Sequence, residues 1–131
     1  MNTFATKNWE ENIVSGTDGG PRVAYAHATL GYNGLIEGES IVDYLLYYEG
    51  EGYDGGGTTA PGFERIEGSV DGRKGSFVIK HDTGFDTKGV ASKFSVVEGS
   101  GTGELAGITG SGTTTGLVGG PTVSYTFDYA L

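Results

Sequence analysis

Two dipeptides constrain this chain more than any other feature. Asn33-Gly34 and Asp71-Gly72 each interrupt a run of alternating apolar and polar residues. Both members of such a pair tolerate the positive φ that a tight hairpin turn demands. The flanking runs are rich in Val, Ile, Tyr, Phe and Thr, side chains that suit a pleated, half-buried surface. Extended segments are therefore expected over residues 2–11, 22–32, 35–50, 63–70, 73–82, 89–99 and 122–131, with a short piece at "ELAGI" (104–108) and a bulge at Gly38. No stretch carries a sustained helical stripe.

About eight strands joined mainly by hairpins predict an all-β fold, an antiparallel closed β-barrel that leaves no sticky edge. A β-sandwich is the alternative architecture. With 131 residues, the chain is read as one domain spanning residues 1–131. A barrel of this size encloses a space that side chains just fill, or that holds one small ligand.

The formal charge is −9, with eight Lys and Arg residues and no basic cluster. Such a surface repels phosphate backbones and anionic lipid, so neither nucleic acid nor membrane is expected as a partner. The absence of cysteine removes disulfides, thiolate metal sites and cysteine nucleophiles. The opening "MNTFATKNWEENIV" has no apolar core of signal-peptide type, and a cytoplasmic location is expected.

Glycine is abundant, at 26 residues, and concentrates in "VVEGSGTGELAGITGSG" from Val96 to Gly112. A phosphate-binding loop opens a helix and usually carries a lysine; here Glu98 and Glu104 bracket the run instead. The run is read as chain crossing the barrel rim in close contact with its neighbours.

The Asp71-Gly72 turn allows a register to be written. With Val70 opposite Arg73, Ile66 faces Phe77 and Glu64 faces Ile79. Alternation then puts Phe77, Ile79 and His81 on one face with Glu64 and Ile66, and this more apolar face is assigned to the interior. Glu64 and His81 become diagonal neighbours about 7–8 Å apart at the backbone. A carboxylate beside an imidazole suits proton transfer, so this pair is the candidate catalytic site. Ile66, Phe77, Ile79, Tyr44 and Tyr48 are the candidate ligand-lining residues, and Trp9 is assigned to the core. The bland alternative places His81 near a strand end, satisfied by a backbone carbonyl.

His27 lies in "AYAHATL", where both faces of the strand are admissible as interior. Two histidines without H-x-H or H-E-x-x-H spacing give no expectation of a metal. The acidic loop with Glu49, Glu51 and Asp54 lacks the EF-hand pattern; it is read as a barrel-mouth loop, with Tyr47, Tyr48 and Tyr53 bordering an entrance. No G-x-S-x-G elbow occurs, and no cofactor is expected.

"VVEGSGTGELAGITG", together with "FERIEGSVDGRKGSFVIKHDTG" and Trp9-Glu10, resembles a bacterial family of domains of unknown function. In that family a strand ending in a Phe-x-x-x-His run precedes a Gly-Ser-Gly-Thr-Gly-Glu-Leu turn and a final Tyr-x-Leu-like strand. The resemblance implies a small barrel similar in architecture to the allene oxide cyclases, and it brings no catalytic residues. The expectation drawn from all of this is a barrel that binds a small apolar ligand and acts as a cofactor-free cyclase or isomerase. The alternative is a filled barrel serving as an interaction or homo-oligomeric module, with the outward phases of "IVDYLLYY" and "SYTFDYAL" as its surfaces.

Overall fold

The computed structural model describes residues 2–17, 20–48, 58–85, 89–117 and 122–131. Among the described residues nine strands form in chain order: β1 (Thr3–Gly16), β2 (Arg22–Asn33), β3 (Ile36–Tyr48), β4 (Thr58–Val70), β5 (Arg73–Phe85), β6 (Gly89–Val96), β7 (Thr102–Gly103), β8 (Thr109–Leu117) and β9 (Val123–Ala130). Eight of them pair antiparallel in the ring β1-β2-β3-β4-β5-β6-β8-β9, which returns to β1, while β7 adds to the side of β5. The sheet is closed, so the fold is a barrel and not a sandwich.

The Asp71-Gly72 turn behaves as its sequence demands. Both residues have positive φ, 52° and 84°, and the β4–β5 register runs Val70↔Arg73, Ile66↔Phe77, Glu64↔Ile79. At Asn33-Gly34 the chain also reverses, with Gly34 at φ 103°.

The two halves of the interior differ. Toward the end that carries the β2–β3 and β4–β5 turns, Phe4, Leu30, Tyr32, Ile36, Ile66, Val70, Phe77 and Ile79 form one core with Phe94, Leu105, Ile108, Tyr125 and Phe127. Phe77 and Phe127 stack in parallel with ring centroids 5.9 Å apart. The glycine-rich run supplies the floor of this end. Leu105 and Ile108 are fully buried, and the backbone around them is tied to β5 through Val97 N to Val78 O (2.8 Å) and Glu104 N to Lys74 O (2.8 Å). The run therefore plugs the barrel.

Several expectations need correction. "ELAGI" is a hydrogen-bonded turn, not a strand. The strand that completes the ring is β8, whose sequence TGSGTTTGL has little of the bulk that marks a strand, because its neighbours' rings fill the space: a Cβ on Gly112 would sit 2.4 Å from the Phe94 ring. Gly38 is not a bulge. It pairs in register with Tyr32 and Gly68, and Gly68 pairs in turn with Gly75, and Gly75 with Gly103. This row of four glycines lets neighbouring backbones approach closely: a Cβ on Gly68 would lie 2.0 Å from the Glu37 carbonyl oxygen.

The bulges lie in β1 instead, where the register slips between Thr6 and Asn8 and between Ile13 and Ser15. Trp9 is not a core residue; 45% of it is exposed. Among the described residues β9 pairs with β1 only at Thr3 and Phe4. On the outside, the "IVDYLLYY" phase does expose Ile41, Leu45 and Tyr47, whereas the outward phase of β9 presents Ser124, Thr126 and Asp128 and is polar.

Candidate functional site

Glu64 on β4 and His81 on β5 both point inward, because each shares its strand face with buried Ile66 or with buried Phe77 and Ile79. Their side chains meet: Glu64 Oε1 lies 2.6 Å from His81 Nε2. Both residues are almost wholly removed from solvent, at 0% and 2% exposure.

Burying such groups is costly unless their hydrogen bonds are made, and here they are. Glu64 Oε2 accepts from the Tyr32 hydroxyl at 2.6 Å and from the Ser40 hydroxyl at 2.5 Å. On the other side of the pair, His81 Nδ1 lies 3.1 Å from Ser92 Oγ. Burial, reinforced by the Glu64 charge and hydrogen bond, pushes Tyr32 well above the ordinary phenol range, so Tyr32 remains a donor. The result is a five-residue network, Tyr32–Ser40–Glu64–His81–Ser92, drawn from β2, β3, β4, β5 and β6. With Glu64 ionised, His81 Nε2 carries the proton and Nδ1 accepts, the arrangement of an imidazole oriented by a carboxylate.

The wall around the pair is apolar. Ile66, Phe77 and Ile79 are fully buried beside it and belong to the core. Tyr44 is partly buried and its ring lies 5.5 Å from the His81 ring. That contact depends on Gly62, which pairs with Tyr44 on one side and His81 on the other; a Cβ there would come within 2.6 Å of Tyr44 Cδ1. Tyr48 ends β3, but its side chain lies outside the described residues, as do Tyr53 and the acidic loop with Glu49, Glu51 and Asp54.

Tyr32, Ser40 and Ser92 escaped sequence reasoning. Tyr32 reaches Glu64 from two strands away and Ser40 from the adjacent strand, and the Asn33-Gly34 loop is wider than a two-residue turn: the first β2–β3 pair is Tyr32↔Gly38. Knowledge of that loop width is the signal that would have placed them.

A second polar cluster occupies the outer surface. His27 faces outward, and its Nδ1 lies 2.5 Å from Asp43 Oδ1, the oxygen that also accepts from the Tyr25 hydroxyl at 2.5 Å. Partial burial works to raise the Asp43 carboxyl, but the hydrogen bonds from Tyr25 and His27 outweigh it and hold the group below its usual range. The same bond to Asp43 raises His27 against its own desolvation, with the charges of Asp43 and Glu10 adding to the effect. Beside this cluster is a shallow groove of about 730 Å³ lined by Thr29, Ile41, Asp43, Phe63, Arg65 and Val78 among others. It is an outer feature, separate from the Glu64–His81 pair. Among the described residues, no group of three His, Cys, Asp or Glu side chains could hold a metal ion.

The sequence matches, over residues 1–129, the model of a family described as "Protein of unknown function (DUF3224)". A solved structure of a DUF3224 protein of unknown function from Shewanella oneidensis MR-1 is similar, with a TM-score of 0.75 and 22% sequence identity over 100% of this chain and 98% of that one. No curated protein has a matching sequence. The chain belongs to the DUF3224 family.

Proposed function

We propose that this DUF3224 barrel binds a small, largely apolar molecule and that Glu64 and His81 exchange a proton with it, as a cofactor-free isomerisation or cyclisation requires. One observation carries the reading: a carboxylate–imidazole pair at 2.6 Å set in an apolar wall, with the rings of Tyr44 and Phe94 against His81. An imidazole whose Nε2–H is held by a carboxylate can take a proton at Nδ1, once the Ser92 hydroxyl turns away from it, from one carbon of a bound molecule and return it to another. The sequence resemblance implies an architecture like that of the allene oxide cyclases, which guide a cyclisation inside an apolar cavity, and as an analogy of fold this favours the same reading.

The test is titration with N-phenyl-1-naphthylamine, a neutral fluorophore that brightens in apolar surroundings. The wild-type chain binds it, and a folded His81→Ala variant binds it at least about tenfold more weakly, a difference of about 1.4 kcal/mol. Unchanged binding by a folded variant removes the pair from the site. No binding by the wild type removes the ligand altogether.

A second reading rests on the outer surface, where Ile41, Leu45 and Phe63 are each about half exposed on adjacent strands. In that reading the barrel is filled and this strip joins copies of the chain. Light scattering after size exclusion decides it: a monomer that stays monomeric at high concentration ends the idea.

A further inference from the structure

The buried pair has a third member, which the proton exchange merely moves aside. Ser92 shares the inner face of β6 with Phe94, the residue that pairs directly with His81. Its hydroxyl lies 3.1 Å from His81 Nδ1, while Nε2 is held by Glu64 Oε1 at 2.6 Å. With the Nε2 proton committed to the carboxylate, Nδ1 offers a lone pair and the Ser92 hydroxyl donates to it. A hydroxyl on an imidazole, and that imidazole on a carboxylate, is the arrangement of an activated nucleophile. The two ring nitrogens exchange parts relative to the usual hydrolytic triad, but the order of roles is the same, and roles define a triad. A nucleophile elbow presents its serine on a strained turn. Here the pleat of β6 presents it, and Glu64, His81 and Ser92 come from three neighbouring strands.

Such a nucleophile needs room in front of it and a donor for the charge that develops. Thr114 pairs directly with Ser92 across β6 and β8, so the two side chains stand on one face with Cβ atoms about 5 Å apart. Thr114 is 4% exposed. Its hydroxyl has no hydrogen-bond partner among the described residues, whereas every wholly occluded side-chain polar atom there has one. The remaining exposure of Thr114 therefore includes its oxygen, and open space adjoins Ser92 on the inner wall. The wall nearby is apolar. The Tyr44 and Phe94 rings lie 5.5 and 5.9 Å from the His81 ring, and Tyr44 packs against Ala24, Ala26 and Leu46.

We propose that Ser92 is a catalytic nucleophile and that Ser92, His81 and Glu64 cleave a small, uncharged carboxylic ester with an apolar acyl group. Ser92 Oγ bonds to the ester carbonyl carbon as its proton passes to His81 Nδ1. The carbonyl oxygen takes the displaced electron pair and accepts a hydrogen bond from the Thr114 hydroxyl, while Glu64 balances the imidazolium. The oxyanion collapses, the ester C–O bond breaks, and Nδ1 returns the proton to the departing alcohol. Water then attacks the acyl-Ser92 by the same path and releases the carboxylic acid. A charged substrate would add its own desolvation to that of Glu64. The proposal rests on the reading of the barrel as a binder of small, largely apolar molecules, and adds a covalent chemistry to it.

The test exposes the full chain to diethyl para-nitrophenyl phosphate, a small neutral reagent that a triad serine attacks with loss of para-nitrophenolate. Titration with N-phenyl-1-naphthylamine runs alongside. The wild type gains one diethylphosphoryl group, and peptide mapping places it on Ser92. Ser92→Ala removes the adduct; Ser95→Ala, on the exposed phase of the same strand, leaves it intact. Glu64→Gln and Thr114→Val each slow labelling at least about tenfold. The proposal is overturned if a wild-type chain that binds the fluorophore forms no adduct, or if the adduct maps to a residue other than Ser92. A labelling rate unchanged in Glu64→Gln or in Thr114→Val overturns it too. Each of these results leaves the ligand-binding reading standing; absence of both adduct and fluorophore binding sinks the two together.

Discussion

Glu64 Oε1 and His81 Nε2 lie 2.6 Å apart in the barrel interior, and the carboxylate that holds the imidazole also collects the hydroxyls of Tyr32 and Ser40. Three donors converge on one buried carboxylate, so its removal orphans all of them. Glu64→Ala is expected to cost about 3–5 kcal/mol, the range found when one partner of a buried pair is deleted. Glu64→Gln retains an acceptor for the two hydroxyls and costs markedly less. Urea denaturation of the two variants measures the difference; near-equal midpoints would show that the network contributes little.

Tyr125 joins the sparse side of the barrel to the β2–β3 connection. Its hydroxyl accepts the Ile36 backbone N–H at 2.8 Å and donates to the Asn33 carbonyl at 3.0 Å. Tyr125→Phe keeps the ring and leaves a buried N–H without its acceptor, which costs about 1–3 kcal/mol. The Ile36 amide should also exchange with deuterium much faster. Protection unchanged in the variant would contradict this role.

The glycine row across β3, β4, β5 and β7 is a packing requirement. Gly68→Ala drives a methyl group into the Glu37 carbonyl and forces two strands apart, so its loss of stability should exceed that of Gly72→Ala. At Gly72 a Cβ meets open space, and only the positive φ opposes it, a penalty of about 1–2 kcal/mol. Thermal melts of the two alanine variants rank them. The reverse order would mean that β3 and β4 can separate cheaply.

The outer His27–Asp43 pair has a pH signature. His27 is raised above its ordinary value of about 6.5, so its contribution is complete below that pH and disappears as pH rises through the folded value. Asp43 is lowered, so its contribution is present above its ordinary value of about 3.9 and disappears as pH falls through the folded value. The stability difference between wild type and Asp43→Asn should therefore be greatest between these two values. The His27 ring resonances should titrate at lower pH in Asp43→Asn than in the wild type. An unchanged NMR titration would show the pair is not formed in solution.

The pair at the centre of the site was legible because its cause is local. Asp71-Gly72 fixes Val70 against Arg73, and from there each residue of β4 has one possible partner on β5. Alternation sets the inner face, and Glu64 and His81 follow as diagonal neighbours. Trp9 was not legible for the opposite reason. Phe4 and Trp9 are five residues apart, so strict alternation puts them on opposite faces; the extra residue at Lys7 restores them to the same one. A β-bulge has no necessary sequence mark, and this one is set by how β1 lies against β2. Strand β8 was hidden because Gly112 and its neighbours leave room for rings from other strands, an advantage visible only once those strands are adjacent.

The sequence by itself determined extended antiparallel segments, the β4–β5 register and the Glu64–His81 contact, since turn geometry and a period of two act within a few residues. Only the tertiary structure decided that β1 meets β9 to close the ring, that Tyr32 and Ser40 complete the carboxylate's shell, and that Trp9 looks into the barrel while remaining exposed. These depend on strands brought together from distant parts of the chain. No local pattern encodes how far a closing sheet slides past itself before its two ends meet.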